Sequence, residues 1–299
     1  MQWLVDAFAQ SWASLKFVAV VLVAGLLIEA LRPAQRGQPL RHVAFNLGYV
    51  AFVVTLNNVL MPPLMALIKP VVSAHGLMLP VAFPDGAGWQ VLQALAFFFI
   101  YDFFYYWFHR AQHTIAVAWP LHKLHHSDQS VNITTTLRHH WLEEPIRVWL
   151  ILLPIGLLFD QKPVTTGWIA TAMMLFGYFI HMNVRLPLGP VTPWIAGPQW
   201  HRLHHSILPQ HTDRNFSAFF PLFDILFGTY SKPGRDEYPA TGLHSGETLN
   251  GPIKSTLSPF RDWHRMIRNA RKPALAHVEQ GPVQGKTDQQ GDPCRQQHE

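Results

Sequence analysis

Long apolar runs alternate with polar segments through the first 182 residues of the chain. Runs of this length with few charges are typical of helices that cross a membrane. The last two are separated only by a short polar turn, which favours a helical hairpin. The runs comprise residues 16–31, 43–68, 89–108, 148–159 and 164–182. The pattern therefore predicts an all-α fold, a polytopic membrane helical domain of about four or five spans.

The sequence does not decide how two of these runs pass through the membrane. Pro62 and Pro63 interrupt residues 43–68, so this run is either one long bent span or a span followed by a re-entrant turn. Residues 148–159 are short for a complete crossing. The number of spans depends on both.

Basic residues between the runs indicate the orientation. Arg32, Arg36 and Arg41 follow the first run, and cytoplasmic loops are enriched in Lys and Arg. Counting spans from that loop places the polar segments 109–147 and 183–272 on the cytoplasmic side as well. We expect these segments to form a helical cytoplasmic cap on the membrane domain.

The C-terminal end changes in composition. The basic stretch 261–272 is either an amphipathic helix on an anionic membrane surface or a solvated helix that closes the domain. Residues 273–299 are rich in Gln, Gly and Pro with few apolar positions, which predicts disorder. We therefore assign residues 1–272 to the membrane domain and residues 273–299 to a disordered tail.

The overall composition excludes several classes of protein. Hydrophobic residues make up 49% of the chain and charged residues 14%, as expected for a membrane protein. The net charge of +5 is not arranged in a basic stripe with interleaved aromatics, so no nucleic-acid partner is expected. The single cysteine, Cys294, excludes internal disulfides, thiolate-ligated haem, iron–sulfur clusters and cysteine-type zinc sites. Any metal must be held by nitrogen and oxygen.

Two nearly identical hexapeptides carry most of the candidate chemistry. They are HKLHHS at 122–127 and HRLHHS at 201–206. On a helix, the first and last histidines of H-x-x-H-H lie at i and i+4 on one face, with the middle one close beside. Adjacent histidines point about 100 degrees apart, so neighbours can serve different metal ions.

Further histidines near the span ends enlarge the set. Eight or nine imidazoles are too many for one metal ion, which takes about four to six ligands, and suit a pair of ions. We predict a dinuclear site with these ligands: His109, His113, His122, His125, His126, His181, His201, His204 and His205. His140 is the candidate for a tenth ligand. The carboxylates available to accept the outward ring N–H groups are Asp102, Asp128, Glu143, Glu144 and Asp213.

Missing motifs narrow the metal chemistry. The chain contains neither H-E-x-x-H, the zincin pattern, nor E-x-x-H, the pattern of carboxylate-bridged di-iron bundles. All-imidazole ligation remains, and imidazole suits iron, zinc and copper. We favour iron, because O2 activated at iron can attack an unactivated C–H bond of a membrane lipid. The alternatives are a zinc-dependent membrane hydrolase and a metal-binding transporter, although a transporter should hold its ligands at mid-bilayer.

The histidine pattern resembles the fatty acid hydroxylase / sterol desaturase superfamily of membrane di-iron proteins, over about residues 102–229. The residues that carry the resemblance are His109-Arg110-x-x-His113, His122-x-x-His125-His126-Ser127, Arg138-x-His140-x-x-Glu143, His181-x-Asn183, His201-x-x-His204-His205, Asp213-x-Asn215-Phe216 and Phe227-Gly228-Thr229. The segments 132–138 and 180–190 also resemble, more weakly, the alkylglycerol monooxygenase branch. The resemblance implies a helical membrane domain, a cytosolic site with two iron ions (Fe²⁺), and O2 as oxidant.

The expected activity is O2-dependent hydroxylation or desaturation of a C–H bond in a fatty acyl, ether-lipid or sterol-like substrate taken from the bilayer. The chain has no flavin, nicotinamide, haem or iron–sulfur motif, so electrons must come from a separate donor, ferredoxin- or cytochrome b5-like. A basic face with Arg202, Arg214, Lys232 and Arg235 is available to dock such a carrier. We expect an integral protein of a bacterial inner membrane, or of the endoplasmic reticulum if eukaryotic, with its metal site on the cytoplasmic side.

Overall fold

The computed structural model describes residues 2–75, 86–158 and 163–270, and its regular structure is helical. Within these ranges, extended backbone pairs only in two isolated bridges, Pro33 with Val184 and Ser206 with Thr241. The α-helices are α1 (Gln2–Leu31), α2 (Leu40–His75), α3 (Ala87–Thr114), α4 (Trp119–His126), α5 (Glu143–Arg147), α6 (Leu153–Leu158), α7 (Pro163–His181), α8 (Pro198–His204), α9 (Leu222–Leu226) and α10 (Pro252–Ala270). The predicted all-α fold is confirmed.

Three helices in the described ranges are long and apolar enough to cross a membrane, namely α1, α2 over Leu40–Val71, and α3. A shorter apolar helix covers Ile169–His181 within α7. The other arm of the predicted hairpin, residues 148–159, consists of a π-helical turn (Val148–Leu152) and α6, and the turn between the arms falls mostly on residues 159–162, outside the described ranges. The chain is therefore a polytopic membrane protein, whose described part has three helices long enough to span and a shorter helical pair.

The path of the second run is settled by α2. This helix continues through Pro62, Pro63 and Pro70 as one element. The alternative of a span followed by a re-entrant turn is therefore wrong. Membrane helices tolerate proline because neighbouring groups can satisfy the backbone carbonyls that it leaves free.

A buried arginine fastens the first histidine triplet to the membrane helices. The Arg138 guanidinium donates to Leu124 O (3.1 Å) and Ser127 Oγ (2.8 Å) at the end of α4, and to Asn46 Oδ1 (2.8 Å) in α2. Asn46 in turn donates to Asp128 Oδ2 at 2.8 Å. Because Arg138 is completely buried, these bonds fix where α4 stands relative to α2.

Asp102 of α3 organises the segment that follows the second triplet. Its carboxylate accepts the backbone N–H groups of Ala218 (2.6 Å), Phe219 (3.1 Å) and Phe220 (2.6 Å), and it is fully buried. The sequence suggested Asp102 as a partner of a histidine ring N–H. In the structure its oxygens are occupied by the backbone instead, so its role is to hold this loop against α3.

We expect Asp102→Ala to lower the stability of the folded chain by about 3 kcal/mol or more, because three backbone N–H groups would lose a buried charged acceptor. The measurement is thermal unfolding of the purified protein in detergent. Asp236→Ala, which removes an exposed carboxylate, is the matched control and should not shift the midpoint. An unchanged midpoint for Asp102→Ala would remove the anchoring role.

The chain divides into two compact units, Met1–Trp263 and His264–Glu299. Of the second unit, only the end of α10, up to Ala270, is described. The basic stretch predicted at 261–272 is thus helical as far as 270, within a helix that begins at Pro252. The predicted disordered tail, 273–299, lies outside the described residues and stays a prediction.

Candidate metal centre

All nine predicted histidine ligands lie in two compact groups. Within each group the candidate ligand atoms are all within 4.8 Å of one another. The five-histidine group consists of His109, His113, His122, His126 and His204. The four-histidine group consists of His125, His181, His201 and His205. Helices α3, α4 and α8 supply the first group, whereas α4, α7 and α8 with the residue that follows α8 supply the second.

Each triplet contributes to both groups, because adjacent residues on a helix point in different directions. In the first triplet, His122 and His126, at i and i+4, join the five-histidine group and His125 joins the other. The second triplet is divided the opposite way. There the i and i+4 pair belongs to the four-histidine group, and His204 crosses to the five-histidine group.

The ring nitrogens that face each other have spacings expected around a metal ion. Two nitrogens bound at right angles to one ion, each at about 2.1 Å, would lie about 3.0 Å apart. The observed Nε2–Nε2 distances are 3.0 Å for His109–His122, 3.1 Å for His113–His126, 3.1 Å for His125–His181 and 3.0 Å for His181–His201. Both groups therefore fit an ion held by Nε2 atoms.

The opposite ring nitrogen, Nδ1, has an oxygen acceptor in five of the nine histidines. These acceptors are Phe216 O for His109 (2.7 Å), Arg214 O for His204 (2.8 Å), Asp213 Oδ1 for His113 (3.4 Å), Gly177 O for His181 (2.7 Å) and Glu143 Oε1 for His122 (3.2 Å). An Nδ1–H that donates to oxygen fixes the tautomer and leaves the Nε2 lone pair free for a metal ion.

A single loop, residues 213–216, supplies three of these acceptors. Asp213 and Asn215 adopt left-handed backbone conformations, with φ of 55° and 63°, which Asp and Asn tolerate better than most residues. The Asn215 side chain donates to Trp200 O (3.2 Å), and Asp224 accepts the Phe216 N–H (2.7 Å). The loop is thereby held with its carbonyl groups turned towards the five-histidine group.

Burial favours the neutral, metal-binding form of the rings. Removal from solvent lowers the pKa of His122, His125, His126, His201, His204 and His205 below the ordinary histidine value. A neutral imidazole is the form that binds metal.

One buried ring nitrogen in the five-histidine group, Nε2 of His204, has no partner. A buried polar atom without a hydrogen bond is costly, and a metal ion bound at Nε2 would satisfy it. The Nδ1 atoms of His125, His201 and His205 also lack a partner, but they lie on the opposite side of each ring from Nε2.

His139, and not His140, lies beside the groups. The His140 ring pairs with Thr256 O (3.0 Å) and the Leu142 N–H (3.3 Å), so it does not provide the tenth ligand that the sequence suggested. The His139 ring stacks on His125 with centroids 4.1 Å apart, and its Nδ1 lies 3.0 Å from Glu143 Oε1. The i, i+4 spacing of His139 and Glu143 was the available signal for this contact.

Two of the candidate carboxylates meet histidine rings and three do not. Glu143 lies between His122 and His139, and Asp213 contacts His113. Asp102 binds the loop described above. Asp128 accepts bonds from Asn46, Thr135 and the backbone of Ser130, and Glu144 pairs with Arg147.

The fold and the site define a class: a polytopic helical membrane protein with a paired histidine cluster at the ends of its spans. Residues 94–229 match the model of the fatty acid hydroxylase family. This range contains every histidine of the two groups.

Several characterised proteins are similar to this chain. An ornithine lipid hydroxylase, OlsE, of Rhizobium tropici is 26% identical over 271 residues, which cover 88% of this chain and 80% of that protein. The alkylglycerol monooxygenase of Homo sapiens is 32% identical over 153 residues, 51% of this chain and 33% of that protein. The Xenopus tropicalis enzyme of the same name is 32% identical over 129 residues, 43% and 28% of the two chains. The chain thus spans about a third of the alkylglycerol monooxygenases. No solved structure gives a significant match.

Proposed function

We propose that this protein is a di-iron, O2-dependent enzyme that hydroxylates a C–H bond of a membrane lipid. The observation that carries the proposal is the pair of adjacent, buried, all-imidazole groups at the ends of apolar spans. Two iron ions bound there would supply the redox chemistry by which O2 attacks an unactivated C–H bond. The match of residues 94–229 to the fatty acid hydroxylase family and the lipid hydroxylases among the relatives support this choice over zinc or copper.

The residues of this chain would hold the ions and keep bulk water out. The nine histidines would hold the two ions, one ion in each group, and the Nδ1 contacts fix five of the rings. Aromatic rings pack against the five-histidine group, with Trp119 and Phe216 each 5.1 Å from the His113 ring and Tyr105 5.3 Å from the His109 ring, measured between centroids. This lining favours an apolar substrate over water.

The position of the groups favours an enzyme over a transporter. Transporters hold their ligands near the middle of the bilayer in broken helices. Here His109 and His113 lie in the last turns of α3, and His181 is the last residue of α7. This position supports a metal site at a membrane surface, which we propose to be the cytoplasmic one, where a lipid would enter from the side.

The electron donor is proposed to be a separate protein, ferredoxin- or cytochrome b5-like, docked on the basic cytoplasmic face. Arg214, Lys232 and Arg235 are exposed and available for that contact. Arg202 is not, because it is buried and donates to Pro239 O and Gln35 Oε1.

Anaerobic purification followed by metal analysis tests the proposal. We expect about two iron ions per chain, and O2 consumption by the reduced protein that requires added lipid. The same protein reloaded with zinc should consume none. One zinc ion per chain, with no O2 consumption by the iron-loaded form under any reductant, would favour the zinc-dependent hydrolase and contradict the oxygenase.

A further inference from the structure

A cavity of about 450 Å³ opens near the end of α1, outside the two histidine groups. The residues that bear on its chemistry are Leu26, Glu29, Ala30, Arg36, Gln38 and Asn183. Asn183 follows the ligand candidate His181 by two residues. The cavity therefore adjoins the segment that leaves the metal site.

The wall of this cavity contains a buried carboxylate with one oxygen to spare. Glu29 is only 5% exposed. Its Oε1 accepts the backbone N–H groups of Ile133 (2.7 Å) and Asn183 (2.8 Å). No described group donates to Oε2, and Oε2 is not among the buried side-chain atoms that lack a partner, so a ligand in the cavity can reach it. An accessible carboxylate oxygen on an otherwise buried side chain suits a cationic donor.

A residue of opposite charge, Arg36, is also among those that line the cavity. Arg36 is exposed and makes no ion pair with any described carboxylate, Glu29 included. The cavity thus has a buried anion and, separately, an exposed cation. A zwitterion whose ammonium group points inward and whose phosphate or carboxylate points outward would match both.

Apolar neighbours favour a lipid as the source of that zwitterion. Leu26, Ala30 and Leu31 line the cavity together with the charged residues. Leu27, Ile28 and Leu31 of the same helix are exposed on a candidate membrane span, where the bilayer would cover them. A lipid could therefore keep its chains in the bilayer while its headgroup enters the cavity.

We propose that this cavity binds the ammonium-bearing zwitterionic headgroup of the lipid substrate, with the ammonium on Glu29 and the anion on Arg36. This inference deepens the proposed function and rests on it for its catalytic meaning.

Binding of two matched lipids tests the proposal without turnover. The probes are phosphatidylethanolamine and its N-acetylated form, which has the same chains and phosphate but no ammonium, each radiolabelled and doped into detergent micelles with the purified full-length protein. We expect at least about tenfold tighter binding of the amine, the effect of one buried charge-assisted hydrogen bond. Equal binding of the two lipids would overturn the proposal.

Variants locate the effect in the cavity. Glu29→Gln keeps an oxygen for the two backbone N–H groups but removes the charge, and should reduce the preference to about twofold or less. Ala30→Phe fills the cavity from an exposed position and leaves Glu29 intact, so it should weaken the binding of both lipids. Asp6→Asn at the opposite end of α1 and Arg41→Gln outside the cavity are the controls and should bind as the wild type does. A preference that survives in both Glu29→Gln and Ala30→Phe would refute the assignment.

Two further measurements separate a lipid headgroup from a free phosphate ester, and headgroup binding from catalysis. Soluble phosphoethanolamine that binds as tightly as the lipid would refute a lipid headgroup as the ligand. Metal content is measured on the same samples. The binding assay needs neither O2 nor reductant. A preference for the amine lipid in a protein that never hydroxylates lipid would therefore support headgroup binding in the cavity and contradict the proposed function. A hydroxylase without that preference would do the reverse.

Discussion

Replacing His125 and His205 together is expected to abolish one metal site and leave the other at wild-type affinity. These residues come from different triplets but belong to the same four-histidine group. That group would retain two of its four ligands, while the five-histidine group would stay complete. The double variant His125→Ala/His126→Ala removes the same number of histidines from one triplet but takes one from each group.

The two double variants should therefore differ in a chelator titration that counts ions by affinity. His125→Ala/His205→Ala should keep one ion per chain at wild-type affinity, and His125→Ala/His126→Ala should keep none, with both sites weakened by more than about tenfold. His244→Ala, an exposed histidine outside both groups, should keep two ions and serves as the control. The opposite order of the two double variants would mean that each triplet holds its own ion.

Glu143→Ala is expected to lower the metal affinity of the five-histidine group by about 10- to 100-fold. Glu143 Oε1 lies 3.2 Å from Nδ1 of His122 and 3.0 Å from Nδ1 of His139, in a buried setting where water cannot easily replace it. Asp213→Ala should cost less than about tenfold, because the Asp213 side chain is 50% exposed and water can take its place beside His113.

The neighbouring Glu144→Ala is the matched control for Glu143. Glu144 pairs with Arg147 and contacts no histidine of either group, so its loss should leave metal affinity unchanged. Metal affinity is measured by chelator competition, and the four-histidine group of the same protein provides an internal reference. Equal losses in Glu143→Ala and Glu144→Ala would show that the effect comes from disturbing α5 and not from the His122 contact.

Periodicity was enough to predict that adjacent histidines of a triplet can serve different metal ions, but not which residues share a group. The i and i+4 spacing within H-x-x-H-H places two rings on one face, and the turn of about 100 degrees between neighbours sends the third elsewhere. The structure brings the predicted set together in this way. His125 joins the i and i+4 pair of the second triplet, and His204 joins the i and i+4 pair of the first. Membrane runs likewise predicted α1 and α3, because span length is set by bilayer thickness.

Contacts set by loops could not be predicted in this way. The acceptors for His109 and His204 are backbone carbonyls of residues 216 and 214, and no side-chain pattern identifies a carbonyl. Their direction depends on the left-handed backbone at Asp213 and Asn215. The choice between His139 and His140 depends on the local turn, where a shift of one residue turns the ring from Thr256 O to Glu143.

The sequence also leaves open which carboxylate accepts a histidine ring N–H. From sequence alone, Asp102, Asp128 and Glu143 are equally available to a ring N–H. The structure separates them because backbone N–H groups occupy Asp102 and a polar network around Asn46 occupies Asp128, and only Glu143 reaches a ring. Proximity in the sequence does not show which carboxylate lies within hydrogen-bond distance of a histidine ring.

Transfer of oxygen from O2 to lipid is the measurement that tests the central proposal most directly. The iron-loaded protein is reduced chemically and incubated with membrane lipid under isotopically heavy O2, and the lipid is analysed by mass spectrometry. We expect a lipid product that carries one heavy oxygen atom and that is absent from the zinc-loaded protein and from His125→Ala/His205→Ala. An oxidised lipid that carries oxygen from water, or a protein with two bound iron ions that leaves every lipid unchanged, would contradict an O2-dependent hydroxylase.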